Sequence, residues 1–265
     1  ALNTRDNTNV QDDTNTHDAP DSQSRLHILV RSAEQLDGIL TVLDQSSGDI
    51  LYPVGRLCLE GDLALGLFDE DCFDGAREKK GYYIQLKKRL AGYLQGHDQC
   101  GLVLALPQIL RKRDGSFVDR IRAIAGREHL IRGFLVRSMD DMGFAQGLMD
   151  EMPDRQFAIY TDAGFYIWNK QSLQAFTTDG FCLPYELRAG DQRRLLQGDV
   201  GVSPAQRRCE KPVYGYIPLM HTANCIYRTL DKCRSGQPAT DRKPAFLTDR
   251  YKKRFPVVAD CAHCM

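Results

Sequence analysis

The sequence predicts an α/β fold, a TIM-like barrel or partial barrel of βα units with a cysteine-rich C-terminal segment. From Leu26 onward, short apolar runs of strand type alternate with amphipathic helical windows. Several runs are apolar throughout, as strands buried on both faces of a parallel sheet are. No GxGxxG turn follows the first run and no Walker pattern occurs, so an open nucleotide-binding sheet lacks its phosphate-binding signal and the barrel is favoured.

The elements follow in order. Leu26 to Val30 (LHILV) reads as a strand. Ser32 is a helix N-cap with Gln35 three residues on, a capping-box pattern, and Leu36, Ile39, Leu40 and Leu43 mark one helical face. Ile50 to Val54 (ILYPV) reads as a strand shortened by its proline. Arg77 to Gln95 carries Tyr83, Leu86, Leu90 and Leu94 at helical spacing. Gly101 to Leu106 is a buried-strand run ended by Pro107. A helix over Phe117 to Ala125, a strand over Gly133 to Arg137, a helix over Met139 to Met152 capped by Ser138, and a strand over Phe157 to Thr161 repeat the unit. Phe181 to Glu186, a helix over Ala189 to Gln197, and Pro212 to Leu219 complete the pattern. With single helices between them, Gly101 to Leu106, Gly133 to Arg137 and Phe157 to Thr161 are expected as buried parallel neighbours.

Composition sets the outer limits. At 265 residues, 42% hydrophobic and 26% charged, the chain has the make-up of a soluble globular protein. No run of eighteen apolar residues and no signal-peptide order directs it to a membrane, and the expected location is cytoplasmic. Nine cysteines, an odd number, fit a reducing compartment better than a disulfide framework.

Residues 1 to 24 hold five Asp, one Arg and almost nothing to bury, which predicts an unstructured tail or interdomain linker. A barrel-like domain is expected over 25 to 220 and a basic, cysteine-rich, metal-binding segment over 221 to 265. Between Arg207 and Arg254 twelve Lys or Arg face four acids, a surplus that suits phosphates; the competing reading is solvated loop charge.

The sharpest constellation is Cys225, Cys233, Cys261 and Cys264, with seven, twenty-seven and two residues between successive members. A two-residue spacing lets both sulfurs of a knuckle reach one metal, and four thiolates complete a zinc site or hold a four-iron, four-sulfur cluster. Independent packing is the competing reading, and His263 is an alternative nitrogen ligand. Cys58, Cys72, Cys100, Cys182 and Cys209 are scattered, with core or incidental roles expected. No Cys–His pattern and no GxSxG elbow supports a protease triad.

Asp162 and Glu186 end strand candidates, where a barrel presents catalytic groups; helix capping or pairing with Lys or Arg is the alternative. Trp168, with Tyr160, Phe165 and Tyr166, either stacks on a planar substrate or fills core.

The segments DAGFYIWN (Asp162 to Asn169), LPYEL (Leu183 to Leu187), EKPVYGYIPLMHTANC (Glu210 to Cys225), Cys233, FLTDRYKKRFPV (Phe246 to Val257) and CAHC (Cys261 to Cys264) together resemble the collagenase-like peptidase family U, number thirty-two, in its long form. The likeness covers the last hundred residues or so, and LHILVRSAEQL, GLVLALPQILR and GFLVRSMDDMG extend it loosely to the start of the folded region. It implies a TIM-like barrel and, as in several relatives, an iron-sulfur centre held by four cysteines and serving oxygen-independent hydroxylation. Relatives hydroxylate a ribosomal or transfer RNA base with prephenate as implied oxygen donor, or act in ubiquinone synthesis. The cysteine spacing departs from the shorter relatives, leaving the third and fourth ligands open among Cys261, Cys264 and a residue beyond the end. The likeness also implies that this is a piece of a longer chain, whose remainder is an expected partner. Three functions compete: an RNA-base hydroxylase module, a peptidase, and a non-catalytic zinc-stabilised substrate-binding module.

Overall fold

The computed structural model describes residues 24–46, 52–69, 77–110, 115–196, 208–230, 233 and 245–259. The tail over 1–23 and the knuckle Cys261 and Cys264 lie outside them, as do Cys72 and His263.

Seven strands form one parallel sheet in sequential order, curled as a half-barrel. They are β1 (Leu26–Val30), β2 (Val54–Glu60), β3 (Gly101–Ala105), β4 (Ile131–Val136), β5 (Ala158–Thr161), β6 (Gly180–Cys182) and β7 (Arg208–Glu210). Between them run α1 (Ala33–Gln45), α2 (Gly61–Phe68), α3 (Arg77–Gly96), α4 (Gly115–Arg127), α5 (Met139–Glu151), α6 (Lys170–Ala175) and α7 (Ala189–Leu196). The strand order never reverses, as it would in a doubly wound sheet. The order is that of a partial TIM-like barrel. A short helix α8 (Ile226–Thr229) and an antiparallel pair, β8 (Ala245–Thr248) with β9 (Arg254–Val257), follow.

The curl shows in which side chains meet. Glu210, on the last strand of the sheet, approaches His27 on the first, Oε2 to Nδ1 at 3.3 Å.

The central strands β2, β3 and β4 bury both faces, which explains the apolar runs there. Leu57, Leu59, Leu102, Leu104, Phe134, Val136 and Ile159 pack outward against Leu36, Leu40, Leu86, Leu90, Ile121, Ile124 and Leu148 of the helices. Cys58, Val103, Ala105 and Leu135 form a smaller concave cluster with Tyr160 packed on it. Gly133 is required where β4 meets β5: a Cβ there would stand 2.1 Å from the Ala158 carbonyl oxygen. Ser32 caps α1 by accepting from Gln35 N, while the Gln35 side chain accepts from Arg31 N at 2.9 Å rather than from the cap residue itself. At α5 the box is complete, with Ser138 and Asp141 each accepting from the other's amide.

Three expected strands move. Of the run Ile50 to Val54, the first two residues lie outside the described ones; Tyr52 and Pro53 stay out of the sheet, Val54 begins β2, and the strand extends onward through Glu60. Pro53 has no amide to give a ladder, and Arg56 interrupts the apolar run because it faces the concave side. Phe181 to Glu186 keeps only Phe181 and Cys182 in β6, since Pro184 stops the ladder. Pro212 to Leu219 is not a strand: it holds two prolines, Gly215 at φ 129°, and fully solvated Tyr214 and Tyr216. The sheet instead adds Arg208–Glu210, three residues with no apolar signature. Helix α2 was also unforeseen; it begins directly after β2 with no loop to announce it.

Candidate active site

The strand C-termini are where βα loops converge in barrel folds. Glu60 ends β2, Arg137 and Asp162 directly follow β4 and β5, and Glu210 ends β7. Their positions follow from the sheet register, which pairs Glu60 with Ala105, Ala105 with Leu135, and Cys182 with Glu210.

Arg137 is the centre of this mouth. Its side chain is only 2% exposed. Nη1 and Nη2 each donate to a Glu60 carboxylate oxygen at 2.9 Å, Nε donates to Asp162 Oδ2 at 3.0 Å, and Nη1 also donates to the Leu106 carbonyl at 3.0 Å. Burial opposes the guanidinium charge, but Glu60 and then Asp162 outweigh it and hold the pKa above the ordinary arginine value. Behind it, fully buried Asp141 accepts from Arg137 N at 2.8 Å and from Ser138 N at 3.1 Å. Burial pushes the Asp141 carboxyl up to about 6, against the lowering pull of those amides.

A second network crosses the concave face. Arg56, 2% exposed, bonds Glu210, lies 2.9 Å from His27 Nδ1, and sets its guanidinium carbon 3.5 Å from the centre of the Tyr160 ring. Burial opposes ionisation of Glu210, but the His27 contact and the Arg56 charge prevail, keeping its carboxyl below the usual range.

The predicted residues distribute unevenly. Asp162 stands in the mouth, where it pairs with Arg137 and accepts from Ala163 N at 2.6 Å, capping a 3-10 turn over Ala163–Phe165. Glu186 is exposed on the loop after β6. Its neighbour Tyr185 has a phenol pushed up by burial, then by Asp162, Cys182 and, less, Glu186, which places that loop at the same end. Cys225, buried, and Cys233, exposed, lie on either side of α8. Their residue type and spacing fit thiolate ligation, although no group of three or more His, Cys, Asp or Glu converges for a metal among the described residues. His221, four residues before Cys225, is exposed; partial desolvation, then the charges of Arg137 and Arg31, lower its pKa, with Asp162 opposing. The cysteine-bearing segment therefore passes within electrostatic reach of the mouth.

Among the other described thiols, burial pushes Cys58 up to about 12 and Cys100 up to about 11 and raises Cys182 further, which makes these three poor nucleophiles; Cys209 is exposed.

Arg137, Glu60, Arg56 and Glu210 were missed in the sequence. A signal for two of them was present: Arg137 and Glu60 each end an apolar strand with a charge, the same mark that singled out Asp162.

No family model matches this chain, and neither the curated proteins nor the solved structures contain a match to it.

Proposed function

We propose that this chain is the C-terminal part of a collagenase-like peptidase family protein and serves as an iron-sulfur RNA-base hydroxylase module. Cys225, Cys233, Cys261 and Cys264 are its cluster ligands, and the strand C-termini are its substrate end. One observation carries the reading. The segment that bears Cys225 leaves β7 at the mouth, and its His221 senses Arg137, Arg31 and Asp162. The segment that carries the implied ligands thus sets out from the end of the sheet where barrel enzymes hold their reacting groups, which supports the reading.

A four-iron, four-sulfur cluster bound there would supply one-electron chemistry, with prephenate as the oxygen donor that the family likeness implies. The chain's own groups have separate tasks. Arg137 fixes Glu60 and Asp162 at the rim, so that both carboxylates keep one orientation. Asp162 retains 19% side-chain exposure, enough to meet a substrate hydrogen-bond donor. The basic stretch from Arg207 to Arg254 is the phosphate-facing surface. A thiol peptidase built on Cys58, Cys100 or Cys182 is disfavoured by their burial and raised pKa values.

The test is iron and acid-labile sulfide analysis of the full-length protein, purified without oxygen, beside a variant carrying Cys225→Ser and Cys233→Ser. Equal iron and sulfide, with visible absorption lost in the variant, is the expected result. Zinc without sulfide would replace the reading by a zinc-stabilised binding module. Peptide cleavage that survives replacement of all four cysteines would replace it by a peptidase.

A further inference from the structure

We infer that Tyr166 and Trp168 form a stacking platform for an unpaired nucleobase at the rim of the mouth. The inference deepens the RNA reading above and rests on it for the kind of polymer bound. The residues lie in the loop after β5, between the 3-10 turn over Ala163–Phe165 and α6. Their rings are within 3° of parallel, with centroids 6.4 Å apart, and the residues are 51% and 44% exposed. At that separation the parallel rings form an offset stack, and their half-exposed faces share one orientation toward solvent.

The platform is held from below. Ile167, between the two aromatics, is 1% exposed and packs with Leu173, Phe181 and Leu183 in a core cluster of its own. Asn169 then caps α6, accepting from Ser172 N at 2.8 Å. Tyr166 itself has φ 56° and ψ 56°, a left-handed conformation that is strained for a bulky residue. Such strain persists only where surrounding structure imposes it, and it is concentrated at functional sites. Here it turns a large apolar ring outward, away from the core that takes its neighbour.

A single-stranded nucleic acid suits this surface better than a protein. Every base offers a π-face to a parallel aromatic pair, and stacking of this kind is tolerant of sequence. The nearby loops add exposed Arg188 and Lys211, cations of the sort that track phosphates. A duplex hides its base faces and cannot use the platform.

Trp168 is the one tryptophan in the chain, so its fluorescence reports the platform alone. The full chain is titrated with a short oligouridylate or oligoadenylate, with an abasic oligomer carrying the same phosphates, and with a short RNA duplex. Saturable quenching by the first two probes, and by neither of the others, is expected. Tyr166→Gly relieves the left-handed strain and so stays folded; it should weaken binding by ~5- to 150-fold, the range for loss of one base–aromatic stack. Trp168→Phe should still bind labelled oligouridylate in an anisotropy assay, whereas Trp168→Ala should lose affinity as Tyr166→Gly does. Equal quenching by the abasic oligomer, absence of quenching, or unchanged affinity in Tyr166→Gly overturns the platform. The cluster analysis is read separately. A protein without iron that still shows base-dependent quenching keeps the platform and loses the hydroxylase, whereas a hydroxylase whose RNA affinity ignores Tyr166→Gly loses only the platform.

Discussion

Replacing Arg137 by Met retains an unbranched side chain of similar reach and removes the charge. Four side-chain hydrogen bonds are lost, two to Glu60, one to Asp162 and one to the Leu106 carbonyl. What remains is two carboxylates, 16% and 19% exposed, facing each other across the gap. Breaking a buried pair by deleting one partner costs about 3 to 5 kcal/mol, because the other charge is left uncompensated. Arg31 lies 3.5 Å from Glu60 but is 56% exposed, and an exposed partner of that kind returns at most ~1 kcal/mol. The net expectation is a loss of about 3 kcal/mol, a large share of the roughly 5 to 15 kcal/mol that holds a typical domain together. In equilibrium urea unfolding followed by circular dichroism, that loss moves the midpoint down by about 1 to 3 M. Adding Glu60→Gln should cost less in the Arg137→Met background than in the parent, with a coupling of about 1 to 3 kcal/mol. A midpoint shift under ~0.3 M, or strict additivity of the two changes, would refute the role given to this arginine.

Two further predictions concern the scaffold. The Asp141 carboxyl has a folded pKa of about 6 against an ordinary 3.8, so its contribution to stability is fully present below about pH 4 and is lost as pH rises through 6. The loss is about 3 kcal/mol at most. Asp141→Asn should flatten that part of the curve, and a difference between the urea midpoints of parent and variant that stays constant from pH 4 to 7 would count against it. Gly133→Ala places a methyl 2.1 Å from the Ala158 carbonyl oxygen and should cost ~3 kcal/mol or more, whereas Gly143→Ala, with nothing within 4 Å in mid-helix α5, should stabilise by about 0.5 to 1 kcal/mol. Thermal melts of the two variants in parallel decide it, and equal melting temperatures would sink the clash argument.

The fold was legible where burial is two-sided. Residues of β3, β4 and β5 stand out because both faces of these strands meet apolar neighbours, and helices between them announce the parallel connection; β1 was legible from its apolar run although only Val30 of it is buried. Strand β2 was displaced because Arg56, a concave-face residue, breaks the apolar run; only the tertiary partners Glu210, His27 and Tyr160 make an arginine tolerable there. Strand β7 has three residues and no apolar pattern, so its pairing with β6 has no local cause that a sequence displays. The apolar stretch Pro212 to Leu219 misled in the opposite sense, since composition alone does not say that its tyrosines stay in water. At the site, Asp162 was legible as a strand-end carboxylate, but its partner Glu60 lies 102 positions earlier, and their meeting on Arg137 is a product of the curl.

The interior of the half-barrel limits where chemistry can take place. Val103, Ala105 and Leu135 fill the concave face, and Arg56 stacked on Tyr160 lies across it, so the middle of the sheet is packed. The Arg56, Glu210 and His27 group joins the first and last strands through side chains, a polar seam in place of the backbone ladder that would close a full barrel. Clefts lined by Cys100 open at the opposite end, beside the starts of β1, β2 and β3, where barrel residues serve stability. On the function proposed above, a base-sized substrate would be held at the C-terminal rim, outside the packed sheet. That requirement is met by groups that project from it: the Asp162 carboxylate fixed by Arg137, the exposed rings of Tyr166 and Trp168, and the segment that carries His221 toward Cys225. The same curl that packs the interior brings these loops to one rim, so fold and site have a common physical origin.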